Sequence, residues 1–311
     1  MSKTVKTTLV VATVLIVVGV VITSVAFGIV GFDIRRFSNV EAPTKHVYTS
    51  KPNADYQTLT VRGVSENYRI VQYSGTGIEV AYYEDAQTSF TIEEQGNTLV
   101  ITEKVTPGFF IFNFDFSLIN REIVISIPAS FTGSIDFNSS SGNVSIQGLT
   151  NCNALKVKTS SGNIHCNNVA VNKDLSLASR SGDISCTRVA ADGITLTATS
   201  GNIICNEAGT KKDLWIEALS GNITCTYIQA QTVSLKATSG NIRAQRLSIS
   251  NLSCHANSGD IDVDVYAAEN SFRITARSLS GNVRTPSGNT QATNNIDLST
   301  TSGNIRLSFS G

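Results

Sequence analysis

The feature that most constrains this 311-residue chain is a recurring tetrapeptide: Ser-Gly, then Asn or Asp, then Ile or Val. Its glycines are Gly142, Gly162, Gly182, Gly201, Gly221, Gly240, Gly259, Gly281 and Gly303. The step is about twenty residues, a period that marks one supersecondary unit wound or stacked repeatedly. Seven residues before each glycine stands Ile, Leu or Val, from Ile135 and Leu155 to Ile296; three before stands only Ala, Ser or Thr. Two residues after it the position is always Val or Ile, and four after it come Ile146, Cys166, Cys186, Cys205, Cys225, Ala244, Val263, Thr285 and Leu307. Alternation with period two on both sides of a turn reads as strand, turn, strand. A further apolar position seven after the glycine, as in Val169, Val189 and Leu247, adds a corner and a short strand before a polar loop such as Asn172-Lys173-Asp174.

One such coil cannot bury its apolar residues, whereas stacked coils enclose a continuous narrow core with strands paired in parallel. The predicted fold is all-β, a parallel β-solenoid of about 20-residue coils over 131–311, with nine coils making a rod of roughly 40 Å at about 4.8 Å per strand. The glycines form a structural turn ladder: a turn needs a residue free to take positive φ, and the Asn or Asp after it tolerates tight turns and hydrogen-bonds nearby backbone.

The chain opens with Lys3 and Lys6 and then runs uncharged and mostly apolar from Thr7 to Phe32. As helix this segment is roughly 37 Å long, enough for a single transmembrane span preceding the solenoid. The expected organisation is a short cytoplasmic tail over 1–7, an anchor over 8–32, and a tether over 33–52 containing Pro43 and Pro52. A cleaved signal peptide is the rival, with small residues at Ser24-Val25-Ala26, but the apolar run continues through Phe32. Flanking charge leans toward a cytoplasmic N-terminus and a β body outside the cytoplasm, at the cell membrane as a single-pass protein.

The chain carries 24 charges of each sign; setting aside the cations Lys3, Lys6, Arg35 and Arg36 and the anion Asp33 leaves 20 positive and 23 negative on 37–311. That balance argues against nucleic acid as a partner. Residues 53–130 are strand-like but irregular, and read as the N-terminal part of the same solenoid or a sandwich-like cap protecting its open end. Within them, alternation places Phe110, Phe112, Phe114 and Phe116 on one face of an extended segment, either a lid for the rod's end or a binding surface.

The order of apolar segment, strand-rich lead ending in Ile123-Val124-Ile125-Ser126-Ile127-Pro128, and serial Ser-Gly-Asn-Ile repeats resembles the bacterial putative-adhesin family with β-strand repeats. It is also similar to the head GIN type of surface domain. The resemblance covers roughly residues 50–311 and implies an adhesin-like or envelope-associated protein, with no catalytic or binding residues to carry over.

Catalysis has one candidate, the alternating Asp260, Asp262 and Asp264, since glycan cleavage on a β-helix needs paired carboxylates. Neighbouring coils place Arg243 and Arg284 at the position of Asp262, with Arg306 beyond, so an outward charge ladder over three adjacent coils is the simpler expectation. His46, His165 and His255 lie in unrelated registers, and no nucleophile, zinc-protease or phosphate-loop motif occurs. No cofactor is expected, and calcium is disfavoured because acidic ligands are missing from most coils. Cys166, Cys186, Cys205 and Cys225 all stand four after their glycine and should stack inward, at a spacing and orientation unsuited to disulfides; Cys254 is likewise inward and Cys152 lies in a loop. The expected function is a membrane-anchored bacterial surface solenoid that binds envelope proteins or glycans without catalysis. The alternatives are a regulatory component of an envelope-stress system and a glycan-active enzyme on a β-helix scaffold.

Overall fold

In the computed structural model the chain is described over residues 3–29, 43–106 and 121–311. It divides into two units. One contains the helix Lys3–Ile29, whose hydroxyls are satisfied within it: Thr23 Oγ1 donates to the Gly19 carbonyl at 2.7 Å and Ser24 Oγ to that of Val20 at 2.8 Å. Side chains are described here for 12–25 and 28–29 and are exposed; among the described residues no helix is long and apolar enough to cross a membrane. The span expected over 8–32 runs past both ends of that stretch.

The other unit is the solenoid, an all-β parallel stack of about 20-residue coils. Strands preceding each turn stack on one side in register, Leu155 beside Leu175, Leu175 beside Ile194, and Ile194 beside Leu214. Strands following the turn stack on a second side, where Ile164, Ile184, Ile203, Ile223 and Ile242 form one column, each at most 1% exposed. The corner is a backbone device. Asn168, Arg188, Glu207, Tyr227 and Arg246, each six after its glycine, adopt φ of 53–56°. A left-handed conformation costs a non-glycine residue about 1–2 kcal/mol; at this corner it turns the chain into the short third side, where Val169, Val189, Ala208, Ile228 and Leu247 are buried.

The order of coils in space departs from their order in the chain at both ends. The strands Thr58–Gly63 and Tyr68–Tyr73 pair with the Gly142 coil on one side and with Thr98–Val105 and Ile123–Pro128 on the other. The later segment therefore lies further out than the earlier one. At the far end Asn294–Ser302 inserts between Ile242–Ser258 and Phe272–Ser280, so the Gly303 coil lies between those of Gly259 and Gly281. Antiparallel pairs occur at the N-terminal end, where Thr88–Gln95 runs beside Thr98–Val105 and Glu79–Glu84 beside Ile123–Pro128. In the edge coil, Val283 occupies the buried column's register yet is 41% exposed, because among the described residues no rung pairs on its outer side.

Candidate ligand-binding face

The turn ladder has a second physical basis beside the positive φ its sequence suggests. Gly142, Gly221, Gly240, Gly281 and Gly303 adopt positive φ, whereas Gly162, Gly182, Gly201 and Gly259 do not. Each is packed so closely on the glycine one rung away that an added Cβ would overlap that residue's carbonyl oxygen, as at Gly201 over Gly182. Close approach of stacked backbones sets the requirement. The Asn and Asp side chains likewise bond across rungs. Asn143 Oδ1 accepts the backbone N–H of Asn163 at 2.9 Å, and the series continues through Asp183, Asn202, Asn222 and Asn241 to Asp260, then Asn304, then Asn282.

The ladder begins where no glycine stands. Glu103 is 2% exposed and stands one residue past the last registered pair of its strand, Thr102 opposite Arg62. Its carboxylate accepts the backbone N–H of Val64 at 2.7 Å and of Ser65 at 2.9 Å, and the Tyr68 hydroxyl at 2.7 Å. These donors, belonging to the first coil's turn, are satisfied by one buried group. Burial, reinforced by that carboxylate, holds the Tyr68 phenol far above its ordinary range.

The three aspartates are taken up in contacts between rungs. Asp260 Oδ1 accepts the backbone N–H of Asn304 at 2.6 Å, and Asp264 accepts the hydroxyls of Ser308 at 3.0 Å and Ser310 at 2.7 Å. Asp262 lies in register between Arg243, 4.0 Å away, and Arg306. The expected ladder needs correction: Arg284 is not next to Asp262, because the inserted Gly303 coil separates them, and it stacks beside Arg306 instead. Among the described residues no group of three or more His, Cys, Asp or Glu side chains converges on a metal position. Cys166, Cys186, Cys205 and Cys225 form an in-register inward column of free thiols. Cys254 is buried between Leu235 and Leu298, and Cys152 is buried in its loop. Burial pushes the Cys152 and Cys205 thiols up to about 12. Phe110, Phe112, Phe114 and Phe116 lie outside the described residues.

A shallow groove of about 750 Å³ lies on the outer face of the strands that precede the turns. Exposed Arg62 and Lys158 flank Asn138 in one outward column, and Arg180 stands one rung on, two residues along its strand. Its floor is Ser and Thr, with Ala178 and Ala198. The acid at its end, Glu217, is engaged by Lys236 at 2.8 Å. On the same face as Glu217 and two residues before it, Trp215 is 44% exposed between the short side chains of Thr195 and Ser234. Outward parity was the sequence signal for these residues, but only the stacking brings Arg62 beside the Gly142 and Gly162 coils. A smaller recess of about 230 Å³ lies along the corners, where the Arg246 guanidinium sits 5.5 Å from the Tyr227 ring centroid with Tyr266 adjacent.

The fold is thus a parallel solenoid whose outer sheet face carries a polar groove with three exposed cations. The chain belongs to the Toastrack DUF4097 family, whose model matches residues 56–308. Curated proteins yield no match. Among solved structures it is similar to a putative adhesin from Parabacteroides distasonis ATCC 8503, at 13% identity and a TM-score of 0.48 over 86% of this chain and 97% of that one. It is similar also to a putative adhesin from Bacteroides fragilis NCTC 9343, at 16% identity and 0.38 over 87% and 98%. A putative lipid binding protein from Parabacteroides distasonis ATCC 8503 matches at 18% identity and 0.37 over 86% and 97%.

Proposed function

We propose that this chain is a non-catalytic, adhesin-like surface solenoid, held at the cell membrane by its N-terminal helix, that binds envelope components through its open sheet face. The observation that carries the reading is the solvent-open groove on the outer sheet face. Apart from Glu103, the inward columns are apolar or small, whereas the outward positions of successive coils differ from one another and leave a groove of about 750 Å³ open to solvent. A face kept polar and varied over a uniform core is suited to recognition. The non-catalytic part draws support from Asp260, Asp262 and Asp264, the best carboxylate constellation in the sequence, each bonded or in register with a partner on the next rung. The anchoring part draws support from the uncharged run after Lys6 and from the internally satisfied Thr23 and Ser24 hydroxyls, which remove the main cost of placing them in lipid.

The test is adhesion with topology. Cells displaying the full chain should adhere to surfaces coated with isolated bacterial envelope more strongly than cells lacking it. The β body should sediment with membranes and be cleaved by protease added to intact cells. Adhesion equal to that of cells without the chain would sink the binding reading; protection of the β body from the protease would sink the topology.

A further inference from the structure

The cations of the groove are distributed as a linear anionic chain would need them. Arg62 and Lys158 stand two rungs apart, roughly 10 Å, and Arg180 follows on the next rung. None of the three has an ion-pair partner among the described residues, although the chain as a whole is formally neutral. Between and beyond them the outward hydroxyls of Ser140, Ser160, Thr197 and Thr199 offer both donors and acceptors. The apolar side chains of the groove lining are Ala178, Ala198 and Leu219, which make no pocket for a peptide's anchors. Outside the lining, two residues before Glu217 on the same face, stands the half-exposed indole of Trp215, between the short side chains of Thr195 and Ser234 and bordering a neighbouring recess of about 450 Å³.

From these observations we infer that the groove binds a linear glycan bearing carboxylate groups, with Arg62, Lys158 and Arg180 meeting the acids, the Ser and Thr hydroxyls meeting the sugar hydroxyls, and Trp215 stacking on the C–H face of a ring. A sugar chain advances by about one rung per ring, so it can lie along the stack and use successive coils in the same way. Charge-assisted contacts exceed neutral hydrogen bonds in strength and give the site its preference for acidic over neutral chains. Their partial exposure makes that preference sensitive to salt. This inference rests on the surface-binding reading above and supplies its site and ligand class.

The test uses the full chain and polygalacturonate as probe, with pullulan as a neutral glycan and poly-L-glutamate as an anionic chain without sugars. Trp215 is the single tryptophan, so its fluorescence reports on the face beside the groove's end, alongside calorimetry. Expected are saturable polygalacturonate binding with a Trp215 signal, at least tenfold weaker binding of pullulan and of poly-L-glutamate, and at least a tenfold loss in the triple variant Arg62→Gln, Lys158→Gln, Arg180→Gln. A charge-keeping variant, Arg62→Lys with Arg180→Lys, should retain most of the binding and guards against a folding defect. No polygalacturonate binding, or equal binding by the triple variant, overturns the site. Equal affinity for poly-L-glutamate overturns the glycan assignment. Envelope adhesion that persists without polygalacturonate binding removes this site and leaves the surface-binding reading standing; loss of both removes both.

Discussion

The side-chain oxygen of Asn304 accepts the backbone N–H of Asn282 at 3.0 Å, so a residue near the C-terminus lies inside one that precedes it by 22 positions. Asn294–Ser302 is thus paired on both sides, with Ile242–Ser258 and Phe272–Ser280, and the last strand, Ile305–Phe309, lies between Ile261–Val265 and Val283–Arg284. Amide hydrogen exchange should show Ile296, Leu298 and Ile305 better protected than Ile274 and Val283, because protection follows pairing and burial rather than distance from the terminus. Slower exchange at Val283 than at Ile305 would contradict the insertion.

Ile223 is fully buried between Ile203 and Ile242, whereas Thr224 points outward. Ile223→Asp places an unpaired charge in a narrow core and should cost at least about 3 kcal/mol; Thr224→Ala should stay within about 0.5 kcal/mol. Thermal unfolding distinguishes them, and equal shifts would refute the inward and outward assignment.

Two glycines give a matched pair. Gly201→Ala pushes a methyl group into the Gly182 carbonyl and should destabilise by about 1–3 kcal/mol, while Gly209→Ala meets nothing within 4 Å and should be nearly neutral. The measurement is the shift in denaturant midpoint at unchanged slope.

Asn222 Oδ1 accepts the N–H of Asn241 at 2.8 Å, and Asp183 makes the equivalent bond to Asn202. Asn222→Asp should therefore keep the rung, while Asn222→Ala should lose about 1 kcal/mol. Equal stability of the two variants would show that the acceptor contributes nothing.

The buried thiols set a pH dependence. The Cys152 and Cys205 values rise from 9.0 to about 12 through burial, so between those limits the unfolded chain holds fewer protons than the folded one. Stability should fall as pH climbs through that window, by up to about 1.4 kcal/mol per unit for each thiol, and native protein should resist alkylation at pH 8. Rapid native labelling of Cys205 would contradict its burial.

The period of twenty was legible because nine copies reinforce one another, and inward columns such as Ile164 to Ile242 follow from alternation alone. The exchange of coils at each end was not, since every copy presents the same register signals and Asp262 matches Arg284 as well as Arg306. Glu103 left a trace, as a carboxylate continuing the inward parity of Leu99 and Ile101, but the donors that justify it belong to a turn nearly forty residues earlier. The groove was illegible for the same reason: Arg62 precedes the repeats, and no spacing in the chain relates it to Lys158.

The exchanged coils at the two ends act as clasps on an extensible middle. A duplicated copy of a coil such as that of Gly182 or Gly201 would add a rung with both of its faces already matched, lengthening the molecule while leaving each clasp intact. A copy appended after Gly311 would find its natural neighbour, the Gly303 coil, already paired on both sides. Lineages of this architecture should therefore vary in length through their interior repeats and keep their ends constant.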